Sequence, residues 1–187
     1  RITNGNLTQY TPVTLTGEPD NQHTFLLDNQ PYLGMAGYHV ITPVLTTNRD
    51  WVLLNRGWVN RGLYRTQLPT ISPLPSPVSI TGEVYLPSNK TLVLAADKPS
   101  DQWPKIIQKV DFAFTGQSLG VQFAPLTVRV SEDHFPLADA DLLRQWPHVP
   151  AMGPDKHRAY ALQWFGLAIA FAIIFVVANC KRRENDE

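Results

Sequence analysis

Short apolar runs separated by turn-forming clusters dominate the first 130 positions. Residues 13–18, 23–27, 37–45 and 51–59 each read as a strand. The second is closed by Asp28-Asn29-Gln30-Pro31, and the third is stopped by Thr46-Thr47-Asn48-Arg49-Asp50. The third and fourth runs therefore predict a hairpin with a five-residue loop. In the fourth run apolar residues are nearly continuous up to Asn55, the pattern of a strand covered on both faces. A stiff surface linker follows over 67–77, where Pro69, Pro73, Pro75 and Pro77 fall. A fifth strand is expected at 78–83, and others near 91–95, 106–112 and 121–130. Leu142, Leu143 and Trp146 share a face if 139–146 forms a short helical turn. Strands this short, with turns this frequent, predict a mainly β fold: an antiparallel, partly closed barrel or a sandwich with a minor helix. Residues 12–18 (PVTLTGE) nearly repeat as 77–83 (PVSITGE), which fits either duplication or shared strand grammar.

The pattern changes after residue 155. Residues 159–178 (AYALQWFGLAIAFAIIFVVA) carry no charge, and as a helix they span about 30 Å, the hydrocarbon thickness of a bilayer. Tyr160, Trp164 and Phe165 gather at the first end, as in an interfacial aromatic belt. The expected organisation is an extramembrane β-rich domain over 1–155, one C-terminal transmembrane α-helix over 156–180, and a charged tail over 181–187. Lys181, Arg182 and Arg183 against Lys156, His157 and Arg158 tilt the positive-inside rule slightly towards an inner C-terminus with the large domain outside.

Composition mainly excludes. The 187 residues balance 16 Lys and Arg against 16 Asp and Glu, without the basic excess of a nucleic-acid binder. One cysteine, Cys180, allows no internal disulfide and no two-thiolate metal site. The Gly-x-Ser-x-Gly, His-Glu-x-x-His, phosphate-loop and Cys-x-x-Cys motifs are all missing, and the five histidines are scattered. The expectation is that the protein is not an enzyme.

Three stretches together resemble the surfeit locus protein one family, the Surf-one and Shy-one assembly factors of cytochrome c oxidase. They are Gly37-Tyr38-His39-Val40-Ile41-Thr42-Pro43, Val52-Leu53-Leu54-Asn55-Arg56-Gly57-Trp58-Val59, and the approach to the membrane helix, 156–165 (KHRAYALQWF). Asn60 stands where the family often has proline. The family also usually carries a transmembrane helix ahead of the domain. The chain begins at Arg1, so the expected native topology is a helical hairpin with both termini inside.

The resemblance implies an assembly factor for a haem-copper oxidase in the bacterial inner membrane or the inner mitochondrial membrane. Its large domain would lie on the periplasmic or intermembrane-space side. It also implies help in delivering or inserting haem a. The partners would be the catalytic subunit of cytochrome c oxidase, the lipid bilayer and, further off, the haem a synthesis machinery. The alternative is a scaffold that stabilises an oxidase subunit without binding haem. A hydrolase with a scattered Ser/His/Asp site is a further alternative. A copper chaperone fits poorly, with one cysteine and only Met35 and Met152 as further soft ligands.

Within that resemblance His157 is the candidate metal ligand, because haem iron takes neutral imidazole as an axial ligand. Helical spacing puts His157, Tyr160, Ala161, Trp164 and Ala168 on one stripe, with rings to stack and alanines that leave room. The competing reading makes Tyr160 and Trp164 interface anchors and His157 a solvated helix end. Arg56 could pair with a propionate, or hold a loop through backbone carbonyls. Gly37 and Gly57 read as structural.

Overall fold

A computed structural model of the chain describes residues 7–63, 67–87, 102–133, 142–146 and 154–184. In chain order the elements are β1 (Pro12–Pro19), β2 (Phe25–Leu27), β3 (Gly37–Thr46), β4 (Trp51–Asn60), β5 (Val78–Tyr85), β6 (Lys105–Ile107), α1 (Phe112–Leu119), β7 (Phe123–Val130) and α2 (Pro154–Glu184). The fold is mainly β, as the hydropathy pattern predicts. Strands follow the order β1-β5-β7-β4-β3, and a β1–β3 pairing closes them into a five-stranded barrel. Closure removes the free edges that an open sheet would leave. The antiparallel expectation needs two corrections, since β4 runs parallel to β7 and β2 parallel to β6.

Three apolar clusters follow from alternation along the strands, the smallest being Leu26, Tyr38, Val40 and Leu142. Leu15, Val44, Val52, Leu54, Ile80 and Val128 belong to the largest cluster, which fills the barrel. Phe25, Ile41, Leu53, Ile107 and Phe123 form a second one, with Phe112 and Phe114 of α1 packed against it. The neighbouring residues Leu53 and Leu54 thus belong to different cores, which accounts for the unbroken apolar run in β4.

The near-repeat is paired with itself. β1 and β5 run antiparallel with Leu15 opposite Ile80, its counterpart in the repeat. Each copy carries, at its next-to-last position, a glycine at which the strand changes neighbour. Gly17 pairs with Val78 of β5 and also with Thr46 of β3, and Gly82 pairs with Val13 of β1 and also with Val130 of β7. A Cβ at Gly17 would collide with the Leu45 carbonyl oxygen, and one at Gly82 with that of Arg129. Only glycine lets a backbone approach this close.

Several expectations are corrected. The strand expected over 106–112 shrinks to β6, because Asp111 caps α1 by accepting from Ala113 N and Phe114 N at 3.1 Å each. The expected helical turn is absent from residues 142–146. Leu143 instead exchanges backbone bonds of 2.7 and 2.8 Å with Trp58, adding an extended bridge beside β4. The proline-rich stretch is no free linker, since Leu74 is buried and its backbone bonds the Asn21 amide at 2.8 and 2.9 Å. The strand expected at 91–95 lies outside the described residues, as do residues 139–141 of the helical turn.

The chain forms two compact units, residues 1–145 and 146–187. In the second, α2 runs for 31 residues, of which Arg158–Asn179 are long and apolar enough to cross a membrane, with mean hydropathy 2.3. This is consistent with a membrane anchor.

Candidate functional site

Two of the quoted sequence stretches become adjacent strands, β3 and β4, and their pairing slips at one point. Ile41 faces Asn55 while Val40 faces Gly57, which leaves Arg56 as an extra residue in β4. This is a β-bulge, a device that bends a strand and re-aims a side chain. Gly57 makes it possible. Its φ of 139° is open mainly to glycine, and a Cβ there would lie 2.8 Å from the Leu143 carbonyl oxygen. The Asn55 side chain braces the bulge by accepting from Gly57 N at 3.3 Å.

Arg56 is 1 % exposed. Its guanidinium donates to the Ser72 carbonyl at 2.6 Å and to the Thr42 hydroxyl at 3.4 Å, and its own carbonyl accepts from Arg144 Nε at 3.0 Å. Arg56 also lines a cleft of about 290 Å³ with Thr24, Thr70, Ser72, Trp103 and Pro104. Of the two sequence readings of Arg56, the geometry matches the one that holds a loop through a backbone carbonyl.

On β4 Asn55 faces Arg129 of β7, and Arg129 faces Glu83 of β5. The Arg129 guanidinium lies 3.4 Å from the Tyr85 ring centre and 3.9 Å from the Glu83 carboxylate. Asn55 Nδ2 reaches His39 Nδ1 at 3.3 Å. A polar row thus crosses four strands of the barrel. Burial, helped by the Arg129 charge, pushes the His39 pKa down to about 4, so this imidazole is neutral at physiological pH. Sequence reasoning left His39 among scattered histidines and did not single out Asn55 or Arg129. Their common signal was membership in, or pairing with, the two quoted strand stretches.

The linkage has a definite sign. Unfolded His39 titrates near 6.5 and folded His39 near 4, so its contribution is complete above pH 6.5 and is lost as pH falls towards 4. Stability should drop by up to about 3 kcal/mol over that window, and His39→Gln should flatten the drop, as read by urea melts at a series of pH values.

The other sequence-predicted residues stand on α2. Tyr160 and Trp164 share a helix face at i,i+4 spacing and are 54 % and 70 % exposed. His157 lies within the same helix, one turn before Tyr160. Arg56 belongs to the barrel unit and these three to the helix unit. Among the described residues no three His, Cys, Asp or Glu side chains converge as a metal site.

Comparison with known proteins gives a match to the SURF1 family over residues 3–169. A SURF1-like protein of Rickettsia felis is 27 % identical over 179 residues, which cover 90 % of this chain and 73 % of that protein. A SURF1-like protein of Rickettsia conorii is 29 % identical over 143 residues, covering 75 % of this chain and 56 % of that protein. The chain therefore aligns with about three quarters of one relative and just over half of the other.

Proposed function

The chain belongs to the SURF1 family, a family of oxidase assembly factors, and from that premise we propose that it helps deliver or insert haem a into the catalytic subunit of cytochrome c oxidase. The observation that carries this reading is the reach of the family match. It runs through the barrel and into α2 as far as residue 169, so it includes His157, Tyr160 and Trp164. Haem, when bound, supplies a flat macrocycle and an iron that accepts neutral imidazole. His157 is the proposed axial ligand, and the exposed faces of Tyr160 and Trp164 suit stacking against the ring. Arg56 fits less well, since its donors already hold Ser72 and Thr42, and its proposed part is to support the barrel.

In this reading the protein catalyses no reaction and holds its cargo transiently, in the bacterial inner membrane or the inner mitochondrial membrane. The barrel would stand on the periplasmic or intermembrane-space side, with the oxidase catalytic subunit and the haem a synthesis machinery as partners. The test is the Soret spectrum of the full-length protein purified from membranes, beside that of His157→Ala. Wild type should carry a haem band and the variant should lose most of it. Identical bands in the two would remove His157 as the ligand.

A second reading, a scaffold that stabilises an oxidase subunit without haem, is favoured by one observation. Exposed Tyr160 and Trp164 at the start of the apolar span also meet the needs of an interfacial belt. Co-purified catalytic subunit without any Soret band would select it.

A further inference from the structure

The seam that closes the barrel is short. β1 pairs with β3 only over Gly17–Pro19, whereas it pairs with β5 over Pro12–Gly17. Beyond Thr46 the neighbouring chain turns away into the β3–β4 hairpin, so residues 12–16 keep one edge without a paired strand among the described residues. Successive residues of a strand aim their backbone groups to opposite sides. Thr16 O accepts from Thr47 N at 3.1 Å and Asp20 N donates to Pro43 O at 2.8 Å, so the even-numbered residues face β3. The N–H and C=O of Thr14 therefore point out of the open edge, and Thr14 is exposed. Pro12 stands on the same side, where a missing N–H breaks no ladder bond.

Beside this edge a slot of about 340 Å³ reaches the barrel core. Its floor is Leu15, Val84, Leu126 and Val128, all buried, with the partly buried Leu7 and Val13 at its lip. Thr46, Thr47 and Asn48 of the hairpin close one end. A cavity of about 150 Å³ holds a benzene ring, so the slot has room for two aliphatic side chains.

We propose that this edge docks an extended segment of a partner protein, which pairs with Thr14 and sends apolar side chains into the slot. The occupant follows from the two features together. An open strand edge offers donor and acceptor at strand spacing, which another extended backbone matches. The incoming strand continues the β1–β3 seam along the line that β3 leaves at Thr46. Residues directly opposite share a face, so the one opposite Thr14 points outwards. Its two neighbours, opposite Val13 and Leu15, point inwards as those residues do. The recognised segment thus alternates polar and apolar residues over about five positions, roughly 17 Å of strand. A hydrocarbon ligand would fill the slot but leave the Thr14 backbone groups to water. This docking goes beyond haem handling and does not depend on it.

The test uses the full chain in lipid nanodiscs and a fluorescein-labelled peptide, Thr-Leu-Thr-Leu-Thr, read by fluorescence anisotropy. Wild type should bind this peptide saturably, and Thr-Asp-Thr-Asp-Thr should not bind, since its carboxylates cannot enter an apolar slot. Methylating the backbone nitrogen of the central threonine should weaken binding about tenfold, because it removes an inter-strand bond and crowds the edge. Thr14→Pro should do the same from the protein side, while Thr14→Ala, which keeps the backbone donor, should bind like wild type. The methylated peptide leaves the protein untouched, so its comparison stands even if Thr14→Pro folds poorly. Absence of saturable binding, or equal binding of the methylated peptide, would overturn the proposal. So would a dimer of the chain that Thr14→Pro dissociates, which would make a second copy the occupant.

Discussion

Arg56→Ala should unfold the barrel more readily in the complete absence of haem, by about 3–5 kcal/mol. The change removes charge-assisted donors from the Ser72 carbonyl and the Thr42 hydroxyl, each such bond contributing about 1.5–3 kcal/mol. It also empties a buried volume that the cleft side cannot readily refill. Arg56→Lys keeps the charge but loses the planar fork, so it should recover only part of the difference. Denaturant melts of the purified full chain decide the matter. A normal midpoint for Arg56→Ala together with weakened haem retention would instead give this arginine a direct role with a propionate.

The second large effect belongs to the paired repeat. Gly17→Ala and Gly82→Ala should each cost about 2–4 kcal/mol, because the added methyl meets backbone rather than a side chain that could swing aside. The two sites lie at opposite ends of the β1–β5 pairing, so their effects should nearly add in the double variant if each opens its own seam. Gly34→Ala provides the contrast. Its Cβ meets nothing and only the left-handed backbone penalises it, so about 1 kcal/mol is expected. Thermal melts of the three variants side by side check the ranking. A Gly82→Ala protein as stable as wild type would mean that the β5–β7 seam yields more easily than its geometry implies.

How far the sequence could be read depended on the range of the forces involved. β3 and β4 were legible because two long apolar runs flank a short polar loop, and both the pattern and the pairing are local. The bulge at Arg56 was not, since it arises from a register slip between strands and from Leu143 lying against Gly57, some 86 positions later. Gly57 gave the only hint, as a glycine inside an apolar run. α1 was missed because the strand expected over 106–112 runs through the residue that starts it, and the decisive residue is the cap, Asp111. Leu142–Trp146 has helical spacing, yet the unpaired edge of Trp58 captured its backbone instead. The depressed His39 pKa is likewise non-local, being set by burial and by Arg129, 90 residues away. Tyr160 and Trp164 were placed on one helix face from spacing alone, as helical periodicity allows.

The self-paired repeat also bears on the order in which the protein can assemble during synthesis. The β3–β4 hairpin is complete once residue 60 is available, whereas Leu15 must wait for Ile80, and Asn55 for Arg129. A translating chain would therefore hold the outer edges of β1 and β4 unpaired across most of its length, a state open to strand pairing with other chains. The closing strand, β7, is followed by α2, so the barrel is sealed only shortly before the long apolar helix is made. Sealing of the barrel and synthesis of the apolar helix would then fall within seconds of each other at ordinary rates, about 5–20 residues per second. A truncation just after β5 should accumulate as aggregate, and one just after Gln145 should not.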